Sequence, residues 1–239
     1  MTNGSQLIRQ LNELMISGRL IALDIETTGL DPWKDKILLV QLGTRSKTLI
    51  IDWQKIGPAK KHLQPILESS NFGKLGHNLA FDCAFLEVNG LKVRGPLCDT
   101  YLGSKVLTAG LPETKGLNVL GACVKRALDK ELENKDELQK SCIGHEGPFS
   151  DEQLEYAAQD VGDLIFDLYE AFKIQTTGQD LLHVWQLECR ALPALIQMYV
   201  NGFKLNVWYY KELLETETKF REEKKLEVIN YLNQHGVLD

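Results

Sequence analysis

Cysteine is scarce in this sequence and unpaired. The five residues, Cys83, Cys98, Cys123, Cys142 and Cys189, are odd in number, scattered, and form no CxxC pair. That excludes a disulfide framework and a structural zinc site, and leaves small buried fillers as their expected role. Long hydrophobic runs are also missing. No stretch approaches the roughly 18 apolar residues of a membrane span, so no membrane partner is expected. The opening MTNGSQLIRQLNELMISGRL has no basic start followed by an apolar run, so no signal peptide is read, and the expected location is the cytoplasm or an organelle matrix. An excess of positive charge is lacking too: 27 Lys and Arg against 33 Asp and Glu give a net charge of −6. On charge alone nucleic acid is a poor guess for the partner, because backbone binding relies on Lys and Arg. Acidic protein can still bind phosphate where carboxylates hold divalent cations, which reverse the local sign.

What is present is a 239-residue chain with 44% hydrophobic residues, enough for a sizeable core. Residues 5–17 read as an amphipathic helix. Strand-like runs follow at Leu20–Ile25, Ile37–Gly43 and Thr48–Trp53, joined by turn-rich linkers that favour an antiparallel meander. Helices are predicted over 59–69, 79–89, 100–109, 117–128 and 151–174, with a short strand at Lys74–His77. Strands first and strand–helix alternation after them predict an α/β fold, a mixed sheet with helices on both faces. Composition changes near residue 176. Two long helical patterns remain, 178–201 and 207–235, with Gly202 as a stop and Asn206 as a start. The expected division is therefore 1–175 and 176–239, the second part being the start of another domain or an arm that packs on a partner.

Three acidic positions stand in apolar surroundings. In RLIALDIETTGL, Asp24 and Glu26 are two apart and share a face of a strand that is apolar on both faces. Two desolvated carboxylates side by side cost several kcal/mol or more, so a proton or a cation belongs there. The plainer alternative puts Glu26 at the strand's exposed end. In HNLAFDCAFLEVNG, Asp82 falls between Leu79 and Leu86 on the helical wheel, as a buried acid needing a partner or as a first-turn cap. In SDEQLEYAAQDVGDLIFDLY, Ser150 and Gln153 form a capping box that fixes the helix start. Tyr156 and Asp160, four apart, are neighbours on its surface. Asp163 and Asp167 extend that face and read as a solvated charge row.

In this order the segments resemble the DEDD exonucleases of the tyrosine subclass, which include the proofreading domain of family A DNA polymerases and ribonuclease D. Asp24-Ile25-Glu26-Thr27-Thr28-Gly29-Leu30 matches the first motif, His77-Asn78-Leu79-Ala80-Phe81-Asp82 the second, and Tyr156-Ala157-Ala158-Gln159-Asp160 the third. Cys98-Asp99-Thr100 resembles the aspartate–threonine that opens the family's next helix. The resemblance covers about residues 18–175. One departure is Cys142-Ile143 after Lys140-Ser141, where family members often carry an acidic and an aromatic residue. After residue 180 the sequence resembles, more loosely, the opening of the polymerase part of family A enzymes.

The resemblance implies a ribonuclease-H-like fold with a five-stranded mixed sheet. It implies two divalent cations, Mg²⁺ or Mn²⁺, held by Asp24, Glu26, Asp82 and Asp160. Asp24 would bridge the ions, Glu26 and Asp160 would complete the first site, and Asp82 would hold the second through water. Tyr156 would orient the attacking water. Leu30 would wedge against the terminal base, Thr27 would contact the terminal nucleotide, and Asn78 and Phe81 would line the strand path; core packing is the alternative for Leu30 and Phe81. His77 is expected to be a hydrogen-bonded structural residue. The implied activity is hydrolysis of single-stranded DNA 3′ ends to 5′-mononucleotides, as the proofreading part of a polymerase whose other domains would be the partner. The alternatives are a ribonuclease D-like enzyme trimming RNA 3′ ends, a catalytically silent binding module on the same fold, and a dimerising arm at 176–239.

Overall fold

A computed structural model describes residues 4–112, 115–132, 147 and 149–236, without the side chain of Tyr156. The segment with Cys142-Ile143 therefore lies outside the described residues. The chain opens with α1 (Gly4–Ser17) and three strands, β1 (Leu20–Thr27), β2 (Ile37–Thr44) and β3 (Lys47–Asp52). Then come α2 (Trp53–Ile56), a 3₁₀ turn (Gly57–Leu63), α3 (Gln64–Leu67), β4 (Gly73–Gly76), α4 (Leu79–Val88), β5 (Leu97–Asp99) and α5 (Thr100–Leu107). The described remainder is helical: α6 (Leu120–Leu128), α7 (Asp151–Gln159), α8 (Asp163–Gly178), α9 (Leu182–Asn201) and α10 (Val207–Gln234).

The sheet order is β3-β2-β1-β4-β5. β1, β2 and β3 pair antiparallel, as their turn-rich linkers predict, while β4 and β5 run parallel to β1. The result is the expected five-stranded mixed sheet flanked by helices, the ribonuclease-H-like arrangement. β5 was not among the expected strands, because three residues are too few to show a period of two.

Alternation along the central strands divides the core. Ile21, Leu23, Ile25, Val40 and Leu42 pack with Leu7, Leu11 and Leu14 of α1 and with Leu79, Cys83 and Leu86 of α4. Ala22 and Leu75 pack with Cys123 and Val124 of α6 and with Val161, Ile165, Leu168 and Phe172 on the other face. Even-numbered β1 positions, Asp24 and Glu26 among them, thus look toward the α7–α8 layer.

Two expectations about helices are corrected. The helix predicted over 151–174 is two helices: α7 ends at Gln159, and extended Gly162 (φ −86°, ψ −163°) precedes α8. The helix predicted over 59–69 is a 3₁₀ turn followed by the single turn of α3, each opening with a proline that supplies no N–H donor. The chain packs as one compact unit up to Asn201 and a second from Gly202, so residues 176–201 pack with the first unit. The reason is α9, whose Trp185, Cys189, Leu192 and Ile196 are all buried on one helical face. Trp185 lies against Gly103 of α5, where an added Cβ would stand 2.7 Å from its ring, and its Nε1 donates to the Asp99 carbonyl at 2.8 Å. In the second unit, Gly202 takes a positive φ of 59° and the Asn206 side chain accepts from Tyr209 N, the expected stop and start. α10 itself has no buried residue.

Candidate active site

β1 extends past its parallel neighbour. β4 pairs with it only from Leu20 to Ala22, whereas β2 follows it to Thr27, with a register shift between Glu26 and Thr27. The last turns of β1 are therefore open on one edge, and a backbone donor there needs a partner. Asp82 supplies it: its Oδ1 accepts from Ile25 N at 3.1 Å. Asp82 comes from the first turn of α4, in the layer opposite to the one that Asp24 and Glu26 face.

The third acidic position is set by a close backbone approach. On β2, a Cβ added to Gly43 would lie 1.9 Å from the Val161 carbonyl oxygen, so only glycine lets the α7–α8 junction descend onto the sheet. That junction carries Asp160. Its start is fixed by the predicted capping box: Gln153 N donates to Ser150 Oγ at 3.2 Å, and Ser150 N donates to Gln153 Oε1 at 2.9 Å. Asp24, Glu26 and Asp160 thereby come together, each offering a carboxylate oxygen within 4.8 Å of the others.

Glu26 is only 7% exposed, which excludes the alternative of an exposed strand end, and Asp82 is 3% exposed. Burial pushes the Asp82 carboxyl well above the usual carboxylate range, with the charges of Asp99 and Glu26 adding to it. Positive charge brought nearby would favour its ionised form. Three hard oxygen donors converging beside a fourth buried carboxylate fit a hard divalent cation such as Mg²⁺ or Mn²⁺.

The remaining predicted positions lie at the end of β1 and just beyond it, at the start of α4 and on α7. Thr27 donates its hydroxyl to the Gly29 carbonyl at 2.7 Å. Leu30 is 81% exposed, which rules out core packing. Asn78 sits at the start of α4 in a left-handed conformation (φ 72°), and its N–H donates to Asp99 Oδ1. Phe81 is partly buried, with its ring centroid 4.8 Å from that of Phe85. Tyr156 is on α7, one turn before Asp160, with its side chain outside the described part. His77 is hydrogen-bonded through both ring nitrogens, to Thr100 Oγ1 and to the Asn118 carbonyl, as expected for a structural residue. Asp163 and Asp167 do not extend the acidic cluster. They turn to Arg45, at 3.9 and 2.8 Å, and Asp167 also to Lys130.

Asp99 does more than the sequence suggested. It caps α5 through Tyr101 N and also accepts from Asn78 N and Leu79 N, so one buried carboxylate ties the start of α4 to that of α5. Gln41 was passed over altogether. It pairs directly with Asp24 across β1 and β2, is fully buried, and neither its Oε1 nor its Nε2 has a hydrogen-bond partner among the described residues. Its sequence signal was a lone polar residue inside ILLVQLG.

A search of curated proteins found no match. Solved structures do match. Escherichia coli RNase D, described as an exoribonuclease involved in structured RNA processing, aligns with a TM-score of 0.68 and 22% identity over 82% of this chain and 50% of that one. Brucella melitensis NrnC with bound Mg²⁺ aligns at 0.65 and 22%, covering 79% and 89%. Trypanosoma brucei RNase D in complex with RNA U12 aligns at 0.66 and 20%, covering 85% and 70%. At these identities the likeness is one of fold. The family comes from the sequence itself: residues 2–176 match the model for 3′–5′ exonuclease. With that match over most of its length and a carboxylate cluster suited to divalent cations, which are the family's cofactors, this chain belongs to the 3′–5′ exonuclease family.

Proposed function

We propose that the protein removes 5′-mononucleotides one at a time from the 3′ end of a single strand by two-metal hydrolysis. The observation that carries this is the convergence of Asp24, Glu26 and Asp160, delivered by a strand and a helix junction, beside buried Asp82. In this reading Asp24 would contribute to both cation sites, Glu26 and Asp160 to one of them, and Asp82 to the other. The cations supply Lewis acidity, activating water at neutral pH and neutralising charge on the phosphate. The chain supplies position. Tyr156 orients the attacking water, exposed Leu30 meets the terminal base, and Thr27, Asn78 and Phe81 line the strand.

The sugar of the substrate divides two readings. DNA, with the enzyme as the proofreading part of a family A polymerase, is supported by the resemblance of the sequence after residue 180 to the opening of such a polymerase. RNA is supported by two structural neighbours described as RNase D, one of which is bound to RNA. The test uses 5′-labelled single-stranded DNA and RNA of one sequence, with Mn²⁺, with Mg²⁺ and with EDTA. The expected result is a metal-dependent ladder shortening from the 3′ end, with 5′-mononucleotide released. Faster loss of RNA would put the ribonuclease reading first, and no release from either strand would overturn the proposal.

A further inference from the structure

We infer that Gln41 is a positioning residue for the cation site, its carboxamide hydrogen-bonding the water shell of the ion held at Asp24. The inference rests on the metal-dependent reading above and adds a group outside the carboxylate set.

Gln41 lies on β2 directly opposite Asp24 in the antiparallel pair. Residues so paired share a face, with their Cβ atoms roughly 5 Å apart. That face is the one looking toward the α7–α8 layer, since Ala22 on β1 packs there and Gly43, two residues on from Gln41, touches the Val161 carbonyl. The amide is therefore enclosed between Asp24 and the junction that carries Asp160. Its neighbours on β2 are apolar and buried, and Leu39, Val40 and Leu42 are each at most 2% exposed.

A buried carboxamide without partners is costly, and a leucine of similar size would remove the cost. Gln41 is nevertheless the position where both side-chain polar atoms are left without a partner among the described residues. The amide has one donor end and one acceptor end. Water on a cation has protons to give, and the amide has an oxygen to receive them. Oε1 accepting from the hydrated ion, with Nε2 donating to a further water of that shell, satisfies both ends at once. Groups that hydrogen-bond around a metal in this way tune its site from outside the direct donors.

The test compares the full chain, Gln41→Leu, Gln41→Glu and Asp24→Asn, by calorimetric titration with Mn²⁺ and by thermal melting in EDTA and in Mn²⁺. Gln41→Leu should melt in EDTA at or above the wild-type temperature, because it removes an unsatisfied buried group. It should bind Mn²⁺ roughly 10- to 100-fold more weakly and lose most of the melting shift that Mn²⁺ gives. Gln41→Glu, which keeps an acceptor facing the ion, should bind Mn²⁺ at least as tightly as wild type. A structural role would show the reverse, a lower melting temperature of Gln41→Leu in EDTA with unchanged Mn²⁺ affinity, and would overturn the inference. If Gln41→Leu does not fold, Gln41→Glu decides, and weakened Mn²⁺ binding in it would overturn the inference. Failure of the underlying reading looks different: wild type and Asp24→Asn would then be alike in binding no Mn²⁺.

Discussion

Acidic residues within one short stretch of this protein, Asp160 against Asp163 and Asp167, have opposite fates. Asp160 ends up with Asp24 and Glu26 beside the sheet, in a cluster whose oxygens lie within 4.8 Å of one another. Asp163 and Asp167, one and two turns further on, reach Arg45 and Lys130 at the surface. Burial and the sign of the neighbours separate them. The Arg45 guanidinium holds the Asp167 carboxyl below its ordinary range, while burial and like charge drive Asp82, beside the cluster, above it. A carboxylate satisfied by an arginine stabilises modestly; carboxylates crowded together create a demand that a cation answers.

The comparison can be broken most directly at the cluster. Asp24→Ala should reduce hydrolysis of a labelled oligonucleotide by roughly 10³-fold or more, with the fold intact by circular dichroism in EDTA; retained activity would remove the assigned metal site. Tyr156→Phe should lower kcat by roughly 10²-fold with Mn²⁺ affinity unchanged by titration, and an unaltered kcat would take the tyrosine out of the mechanism. Gly43→Ala tests whether the junction's descent is what brings Asp160 in. The added methyl must displace the Val161 carbonyl, and a shift of ~1 Å should cost about 10- to 100-fold in activity and lower the melting temperature.

Lys74 sharpens the contrast from the cationic side. It is 1% exposed, and its Nζ donates to the Ser69, Phe72 and Arg94 carbonyls. Burial draws its ammonium down to about 8 from the ordinary 10.5. Between those values the unfolded chain binds a proton that the folded chain has released, so this contribution to stability rises with pH across the window and is lowest below about 8. Urea unfolding of wild type and Lys74→Met from pH 7 to 10.5 should show wild type gaining on the variant, by on the order of 3 kcal/mol; parallel curves would mean that carbonyl contacts keep the charge. The smallest effect belongs at the surface. Asp167→Asn should leave activity within about twofold and change stability by less than about 1 kcal/mol in urea titrations.

Much of this was legible in the sequence. Asp24 and Glu26 two apart in an apolar run, Asp82 in an apolar helix face, and Ser150 with Gln153 ahead of Tyr156 and Asp160 are patterns of period 2 or 3.6, and period survives in sequence. The break between α7 and α8 was not read, because the apolar stripe runs on from Val161 to Ile165 across it; extended Gly162 marks the break in the structure. Nor was the attachment of α9, whose apolar face reads the same whether it meets this sheet or another domain.

The sequence by itself determined the acidic residues, the strand and helices that carry them, and the family, since these depend on local spacing and residue type. Only the tertiary structure decided that Asp160 joins Asp24 and Glu26 while Asp167 turns to Arg45, that Asp82 closes the open edge of β1, and that Gln41 is shut in beside Asp24. Those outcomes depend on which distant backbones come into contact, and close packing of one layer on another is a property of the whole fold that no single segment encodes.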